Sequence, residues 1–166
     1  MAFHDLTTIN DELKKYEVEK LVLLPAEWEK LKLPVTLNWK IKRFNKRTAP
    51  KVPKDYGGVY AFVVKPSIAA FSHASYLLYI GRTQGKEGFY QRYRNYLAQS
   101  IEKKNRRPTL RQMFDKWPDH LWFCFARLDL DGQKLNAVES ALLKAFLPPF
   151  NRQFPGVVGK ARMAWQ

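Results

Sequence analysis

GGVYAFVV, residues 57–64, and YLLYIG, residues 76–81, are the two stretches that decide the fold. The first is a glycine pair followed by β-branched and aromatic residues, and the second is an apolar run that ends on glycine. Both patterns are typical of strands that are bounded by turns. Since only residues 65–75 separate them, we predict a hairpin, whose loop contains Pro66 and His73 and lies outside the chemistry.

A third strand and three helices complete the organised part of the chain. HLWFCFARLD, residues 120–129, is predicted as a strand, and helices are predicted over residues 89–104, 109–117 and 134–147. The order of these elements favours an α+β fold in which a small, central, antiparallel three-stranded sheet is flanked by helices. We assign this domain to residues 56–151, between an N-terminal extension (1–55) and a basic C-terminal tail (152–166).

The charge of the chain indicates a polyanionic partner. The net charge is +14, and it is unevenly distributed: residues 1–30 hold seven acids and four bases, whereas residues 31–166 hold eight acids and twenty-five bases. Nucleic acid is the first candidate partner and an anionic membrane the second, with plain solubility as the alternative. The single cysteine, Cys124, excludes an internal disulfide. Without a signal pattern or an apolar stretch of about 18 residues, we expect a non-secreted, cytoplasmic protein with no membrane partner.

The N-terminal extension combines helical segments with a basic run. Residues 5–20 are predicted to be helical, and Trp28 lies in a second short helical piece. Residues 38–55, NWKIKRFNKRTAPKVPKD, predict an edge strand followed by a loop, because two prolines interrupt the run. We interpret this extension as a candidate recognition or dimerisation element, with its basic run on phosphates.

One carboxylate stands out in ESALLKAFLPPFN, residues 139–151. On a helical wheel, Leu135, Leu142 and Phe146 form one apolar stripe, and Glu139 projects from the middle of it. A carboxylate directed inward costs several kcal/mol, on the order-of-magnitude scale, unless a cation, a basic side chain or a cleft meets it. A structural ion pair is the ordinary alternative for Glu139, and a turn or cap is the ordinary role for Asn151.

Aromatic residues and an arginine accompany this carboxylate. Tyr60 ends the tripeptide Gly-Val-Tyr of the first strand, and Tyr79 begins Tyr-Ile-Gly in the second. Arg92 and Tyr96 are four residues apart and therefore share one helix face. Each feature alone has an ordinary explanation, since strand tyrosines are usually core residues and an arginine beside rings often stacks or snorkels.

In combination, these motifs resemble the GIY-YIG nuclease family. The resemblance is carried by Gly-Val-Tyr (58–60), Tyr-Ile-Gly (79–81), the helix with Arg92, and the span from Glu139 to Asn151. It implies a metal-dependent endonuclease that hydrolyses DNA phosphodiester bonds with a single divalent ion, Mg²⁺ or Mn²⁺. The implied partner is DNA, and a homodimer is a candidate assembly.

The resemblance also implies roles for individual residues. Glu139 would be the only metal-binding carboxylate. Tyr60 would act at the water nucleophile as its general base or its positioner, and Tyr79 would orient the site or hold a phosphate. Arg92 would stabilise the charged phosphate. A tyrosine with a pKa near 10 is a poor base at neutral pH, so the base role requires cations nearby.

Three further positions have supporting roles. Tyr96 stands where family members carry histidine or tyrosine and would assist the nucleophile or the phosphate. Asn151 would brace the site by hydrogen bonding. Arg82 follows Tyr-Ile-Gly, where lysine is common; because arginine stays protonated, it cannot relay a proton as a lysine can. The residues expected to bind nucleic acid are basic: Arg82, Lys40, Lys42, Arg43, Lys46, Arg47 and Arg94.

Two other function classes are consistent with the sequence. The first is a catalytically inactive nucleic-acid-binding module that has the same fold. The second is a protein-interaction partner whose acidic N-terminal helix docks on another protein or covers its own basic surface. Retention of Tyr60, Tyr79, Arg92, Glu139 and Asn151 favours the enzyme over both alternatives.

Overall fold

The computed structural model describes residues 19–66, 74–85, 88–101 and 108–154. The predicted helix at 5–20 lies almost entirely outside the described residues, as do the loop around His73 and most of the C-terminal tail. No helix within these described segments is long and apolar enough to cross a membrane.

The centre of the fold is a four-stranded antiparallel sheet with the strand order β1-β4-β2-β3. The strands are β1 (Lys40–Arg43), β2 (Gly58–Val64), β3 (Tyr76–Thr83) and β4 (Leu121–Arg127). The α+β class and the β2–β3 hairpin are thus confirmed, but the prediction of three strands is wrong. The fourth strand is the edge strand expected in the basic run, and it pairs with β4 in a register that begins at Lys40 opposite Phe125. This pairing covers backbone groups that β4 would otherwise leave exposed at the sheet edge.

Helices pack on both faces of the sheet. They are α1 (Pro25–Lys30), a 3₁₀ helix (Lys46–Lys51), α2 (Gly88–Ile101), α3 (Pro108–Lys116) and α4 (Gly132–Phe146). The three helices expected after the hairpin are present within a few residues of their predicted bounds. The 3₁₀ helix, α2 and α3 cover one face, and α4 covers the other.

The two faces differ in composition because side chains alternate along a strand. Tyr60 and Phe62 of β2 point into a core rich in rings, which we call the aromatic face. Val59 and Ala61 point the other way, into the aliphatic face that α4 covers. The two faces meet beyond the outer edge of β3, which pairs with no further strand among the described residues.

Helix α4 begins at a capping aspartate and ends in a left-handed turn. The Asp131 side chain accepts a hydrogen bond from the backbone N–H of Lys134, which satisfies one of the free N–H groups of the first turn. At the other end, Leu147 has a φ of 45°, which is unfavourable for a residue with a side chain, and it directs the chain back towards β3. Phe146, which was expected in the buried stripe, is instead 37% exposed and stacks against Trp28 of α1.

The described part of the N-terminal extension packs against the same cores as the rest of the chain. Alternate residues of the extended segment after α1 contact the aliphatic face: Leu31, Leu33, Val35 and Leu37. Trp28 donates a hydrogen bond from its indole N–H to the carbonyl of Ala145 in α4 at 2.7 Å. The domain boundary at residue 55 and dimerisation through the extension stay predictions.

Candidate active site

Tyr60 and Gly81 form one packing unit that joins the two strand motifs. They are opposite each other in the β2–β3 register, and the Tyr60 ring lies directly over the glycine. A Cβ atom at position 81 would lie 2.6 Å from both Cζ and the hydroxyl oxygen of Tyr60, far inside contact distance. The glycine of Tyr-Ile-Gly is therefore required by the tyrosine of Gly-Val-Tyr.

Three tyrosine hydroxyls lie in a chain on the aromatic face. The hydroxyls of Tyr60 and Tyr96 are 2.8 Å apart, and Tyr96 donates to the hydroxyl of Tyr79 over 3.4 Å. Tyr60 and Tyr96 are buried, whereas Tyr79 is half-buried and lines a cleft. The chain therefore connects the interior of the sheet to the cleft through Tyr79.

Asn151 holds the outer edge of β3. Its Oδ1 accepts a hydrogen bond from the backbone N–H of Ile80 at 2.9 Å, and its Nδ2 donates to the carbonyl of the same residue at 2.8 Å. One residue earlier, the Phe150 N–H donates to the carbonyl of Leu78 at 3.0 Å. The segment after the double proline thus takes the place of a further strand, and the predicted bracing role of Asn151 acts on the centre of Tyr-Ile-Gly.

Glu139 and Arg82 form an ion pair between α4 and the end of β3. The Arg82 Nε donates to Oε2 of Glu139 at 2.9 Å, and the two side chains are 34% and 19% exposed. Arg82 reaches α4 because it lies opposite Val59 in the register and therefore points to the aliphatic face. The partner of Glu139 is thus the arginine that directly follows Tyr-Ile-Gly, and the pair lies at the margin of the cleft.

A cleft of about 550 Å³ opens beside the outer edge of β3 and receives side chains from both faces. Tyr79 and Leu110 come from the aromatic side, and Glu139 and Leu143 come from the aliphatic side. Polar side chains that also line the cleft are Thr109, Asn136, Ser140, Asn151, Arg152 and Gln153. Residues distant in the sequence, which come from β3, α3, α4 and the segment after it, therefore share one concave surface.

Burial dominates the acid–base properties of Tyr60. Loss of hydration raises the pKa of Tyr60 well above its ordinary value, and the neighbouring Tyr79 and Glu139 raise it further. The hydrogen bond with Tyr96 and the positive charge of Arg92 act in the opposite direction but do not compensate. The charges of Arg92 and Glu139 therefore both influence the pKa of the Tyr60 phenol.

The Glu139 carboxyl is also disfavoured in its charged form. Burial raises the pKa of Glu139 above its ordinary value of 4.5, although the charge of Arg82 and its hydrogen bond lower it. Oε2 accepts from Arg82, while Oε1 has no hydrogen-bond partner among the described residues. The carboxylate is therefore only partly neutralised and has one oxygen available to a further cation.

The donor set of the cleft fits a weakly held, hydrated divalent ion. In the described segments, no group of three or more His, Cys, Asp or Glu side chains lies close enough together to enclose a metal. Glu139 supplies one carboxylate, and neutral oxygens are available nearby on Asn136 and Ser140. Magnesium tolerates such a site because it retains several waters and takes the remaining ligands from a bound phosphate.

The other basic residues predicted to bind nucleic acid lie away from the cleft. Lys40, Lys42 and Arg43 are on β1, Lys46 and Arg47 are on the 3₁₀ helix, and Arg94 is on the outer side of α2. Arg43 donates to the carbonyl of Asp119 at 2.8 Å, so it also fixes the turn before β4. Of the predicted set, only Arg82 contacts a residue of the cleft.

One cationic cleft residue was not predicted from the sequence. Arg152 lines the cleft and donates from Nε to the Thr109 hydroxyl, which joins the segment after α4 to the start of α3. Its position directly after Asn151 is a usable signal, but the sequence places it in the tail and does not indicate the contact with Thr109.

Comparisons with family models, curated proteins and solved structures found no match to this chain.

Proposed function

We propose that the protein is a divalent-metal-dependent endonuclease that hydrolyses DNA phosphodiester bonds in the cleft beside β3. The observation that supports this proposal best is the convergence of predicted residues from four separate elements. Tyr79, Glu139 and Asn151 line one cleft, and Arg92 and Glu139 both act on the buried phenol of Tyr60. The net charge of +14 is consistent with a polyanionic substrate.

Glu139 is the residue that would hold Mg²⁺ or Mn²⁺, through the oxygen that Arg82 does not engage. A bound divalent ion would neutralise phosphate charge and lower the pKa of a coordinated water. Because a single carboxylate is a small share of the ligands that Mg²⁺ takes, we expect weak metal affinity without DNA. Arg82 would share the carboxylate with the ion or move towards a phosphate once DNA is bound.

Tyr60 is better suited to position the nucleophile than to deprotonate it. Its raised pKa keeps the phenol protonated at neutral pH, which makes it a weak general base. As a protonated group, it holds the hydroxyl chain through Tyr96 to Tyr79 in place. Tyr79, at the cleft wall, is then the hydroxyl that orients a water or contacts a phosphate oxygen.

The transition state of phosphodiester hydrolysis carries additional negative charge, and cations placed in advance stabilise it. Arg92 supplies such a charge behind the tyrosines, and Arg152 supplies one at the cleft wall. Asn151 is a positioning residue, because the oxygen and the nitrogen of its side-chain amide both hydrogen-bond to the backbone of Ile80.

A nucleic-acid-binding module without catalytic activity is the second candidate. The observation that favours it is the Arg82–Glu139 ion pair, because a guanidinium already contacts the only carboxylate among the described residues that line the cleft. In this case the basic surface would bind DNA and the cleft would remain inert.

Conversion of supercoiled plasmid to nicked or linear DNA distinguishes the two candidates. The nuclease proposal predicts conversion by the wild type in Mg²⁺ or Mn²⁺ and none in EDTA. Glu139→Ala should lower the rate about 100-fold or more, because the ion and its charge are lost together. DNA binding in EDTA should change little, since Glu139 does not attract phosphates.

Glu27→Ala is the matched control. Glu27 has the same 19% side-chain exposure as Glu139 and is also 2.9 Å from a base, Lys144, but lies on α1 outside the cleft. This variant should cleave at the wild-type rate. If the wild type cuts no duplex, branched or single-stranded DNA while it binds DNA with strong salt dependence, the binding-module candidate replaces the nuclease.

A further inference from the structure

A second concave surface lies between the 3₁₀ helix and α2, which we call the α2 groove. It has a volume of about 330 Å³ and is lined by Lys46, Ala49, Tyr90, Arg94, Leu97 and Ala98. Lys46 and Arg94 are exposed, and none of the lining residues is acidic. The groove shares no lining residue with the cleft beside β3.

The two elements that form this groove carry only one sign of charge. The 3₁₀ helix contains Lys46, Arg47 and Lys51, and α2 contains Arg92 and Arg94, whereas neither element contains an aspartate or a glutamate. Some other surface bases of the described segments are paired with acids, as Lys134 is with Asp131. A surface whose charges are not balanced in this way attracts anions and releases counterions when it binds them.

Two cationic side chains, those of Lys54 and Arg94, lie close to the ring of Tyr90. The Lys54 ammonium lies 5.5 Å from the ring centroid, and the Arg94 guanidinium lies 5.9 Å from it. Both distances are within the range of a cation–π attraction, which orients the side chains without neutralising them. Lys54 and Tyr90 were not among the residues that the sequence predicted to bind nucleic acid.

A buried hydroxyl fixes the two walls of the groove to each other. The Tyr93 hydroxyl of α2 accepts from the backbone N–H of Asn45 at 2.8 Å, donates to the Asn45 carbonyl at 2.9 Å, and lies 2.7 Å from the Thr48 hydroxyl. Tyr93 is fully buried. The two elements that carry the cations are therefore fixed to each other by hydrogen bonds.

We propose that the α2 groove binds the phosphate backbone of duplex DNA, separately from the cleft beside β3. Its bases suit phosphates, and phosphate contacts fix the position of a protein on DNA without reading the sequence. Arg92 and Arg94 are two residues apart on α2 and so point to nearly opposite sides of it, Arg92 towards the tyrosines and Arg94 into the groove. One helix thereby connects the proposed docking surface to the proposed reaction site. The choice of DNA as the partner rests on the proposed function, whereas the binding itself does not require cleavage.

Fluorescence anisotropy with a labelled DNA duplex in EDTA tests this inference over a series of salt concentrations. The double variant Lys46→Gln/Arg94→Gln should bind about tenfold or more weakly at low salt, and its slope of log K against log salt should be shallower by about two. Tyr90→Leu should weaken binding about threefold because both cations lose their ring, while Tyr90→Phe should match the wild type.

The charge-matched control is Lys32→Gln/Lys134→Gln, which removes two exposed bases outside the groove. It should keep the wild-type slope. Equal slopes for the groove and control variants would overturn the inference, because net charge alone would then explain the binding. The inference would also be wrong if the groove variant lost binding to phosphatidylserine vesicles or to an RNA hairpin but not to duplex DNA.

Magnesium-dependent plasmid cleavage separates this inference from the proposed function. If the wild type cleaves and the groove variant binds DNA normally, the inference fails and the nuclease proposal stands. If the wild type cleaves nothing and the groove variant still loses duplex binding, the α2 groove is established and the nuclease proposal fails.

Discussion

Two acid–base pairs on α4 and its neighbours have the same geometry but different electrostatics. The cleft pair, Glu139–Arg82, and the surface pair, Glu27–Lys144, each have a shortest distance of 2.9 Å and a carboxylate side chain that is 19% exposed. Burial raises the pKa of Glu139, whereas the hydrogen bond from Lys144 lowers the pKa of Glu27. The distance within an ion pair therefore does not show whether the pair is structural, and the surroundings decide which carboxylate can bind another cation.

The surroundings of the cleft pair depend on β3. Arg82 follows the segment that Asn151 holds, and Tyr79 begins it. The surface pair instead lies beside the contact of Trp28 with Phe146, and Glu27 there has a second basic partner, Lys30, at 3.5 Å. A perturbation of the edge of β3 should therefore affect one pair and leave the other unchanged.

After loss of Glu139 itself, Asn151→Ala is the substitution expected to lower the cleavage rate most. It removes both hydrogen bonds to Ile80, so the end of β3 with Tyr79 and Arg82 loses its fixed position. Cleavage should fall by up to about 100-fold, since small displacements of reacting groups are costly. The free energy of unfolding should fall by about 1–2 kcal/mol for two lost hydrogen bonds.

Asn136→Ala is the control for this variant, because Asn136 lines the same cleft but is exposed and does not hold β3. Urea denaturation should leave the free energy of unfolding of Asn136→Ala within about 0.5 kcal/mol of the wild type. Equal losses in the two asparagine variants would show that the cleft surface, and not the hold on β3, is the cause.

Removal of the base should lower the free energy of unfolding by different amounts in the two pairs. Arg82→Gln leaves a partly buried carboxylate without its cation, and we expect a loss of about 1–3 kcal/mol in the free energy of unfolding. Lys144→Gln should cost much less than Arg82→Gln, because Lys144 is exposed and Glu27 keeps its contact with Lys30. Denaturation by urea at neutral pH measures both values; losses of similar size would break the distinction between the cleft pair and the surface pair.

The pH dependence of stability should differ in sign between the two carboxylates, although the effects are the smallest. For Glu139, whose folded pKa is raised, the stability contribution is present below the unfolded pKa and is lost as pH rises through the folded value. For Glu27, whose folded pKa is lowered, it is present above the unfolded pKa and is lost as pH falls through the folded value.

Unfolding free energies measured from acid to neutral pH test this difference. In the wild type, Glu139 makes the protein less stable as pH rises, and Glu139→Gln should abolish this decrease. Glu27 makes the wild type more stable as pH rises, and Glu27→Gln should abolish this increase. Cleavage should show an acid limb above the ordinary glutamate range, since Glu139 must lose its proton to bind a metal. An unchanged stability difference between wild type and Glu139→Gln across this range would contradict the raised pKa.

The sequence predicted most of the fold because local patterns determine most of it. The hairpin follows from glycine-bounded runs of β-branched and aromatic residues, and α4 follows from the spacing of Leu135 and Leu142. The edge strand β1 was predicted in the basic run, but its pairing with β4 is long-range and leaves no local pattern, which is why it was not counted in the central sheet. Phe146 is exposed directly before the left-handed turn at Leu147. That turn could not be predicted, because the sequence has leucine and not glycine at this position.

For the candidate site, too, local motifs predicted the residue types, whereas contacts that depend on strand register and burial were not predictable. Asn151 makes two hydrogen bonds to the backbone of Ile80, whereas its bracing role in a catalytic site stays a prediction. The partner of Glu139 follows from strand register, which puts Arg82 opposite Val59 on the face of α4. The pKa of Tyr60 depends on burial by three other elements, so the sequence could not decide between base and positioner.

Binding of Mn²⁺ to Glu139 is the central claim, and electron paramagnetic resonance measures it most directly. The titration uses the full chain with a duplex that contains uncleavable phosphate analogues. We predict that the wild type and Glu27→Gln bind one Mn²⁺ per protein when this duplex is present and bind it much more weakly without it. Glu139→Gln should lose the DNA-dependent site. Equal Mn²⁺ binding by Glu139→Gln and the wild type would contradict the assignment of Glu139 as the metal ligand.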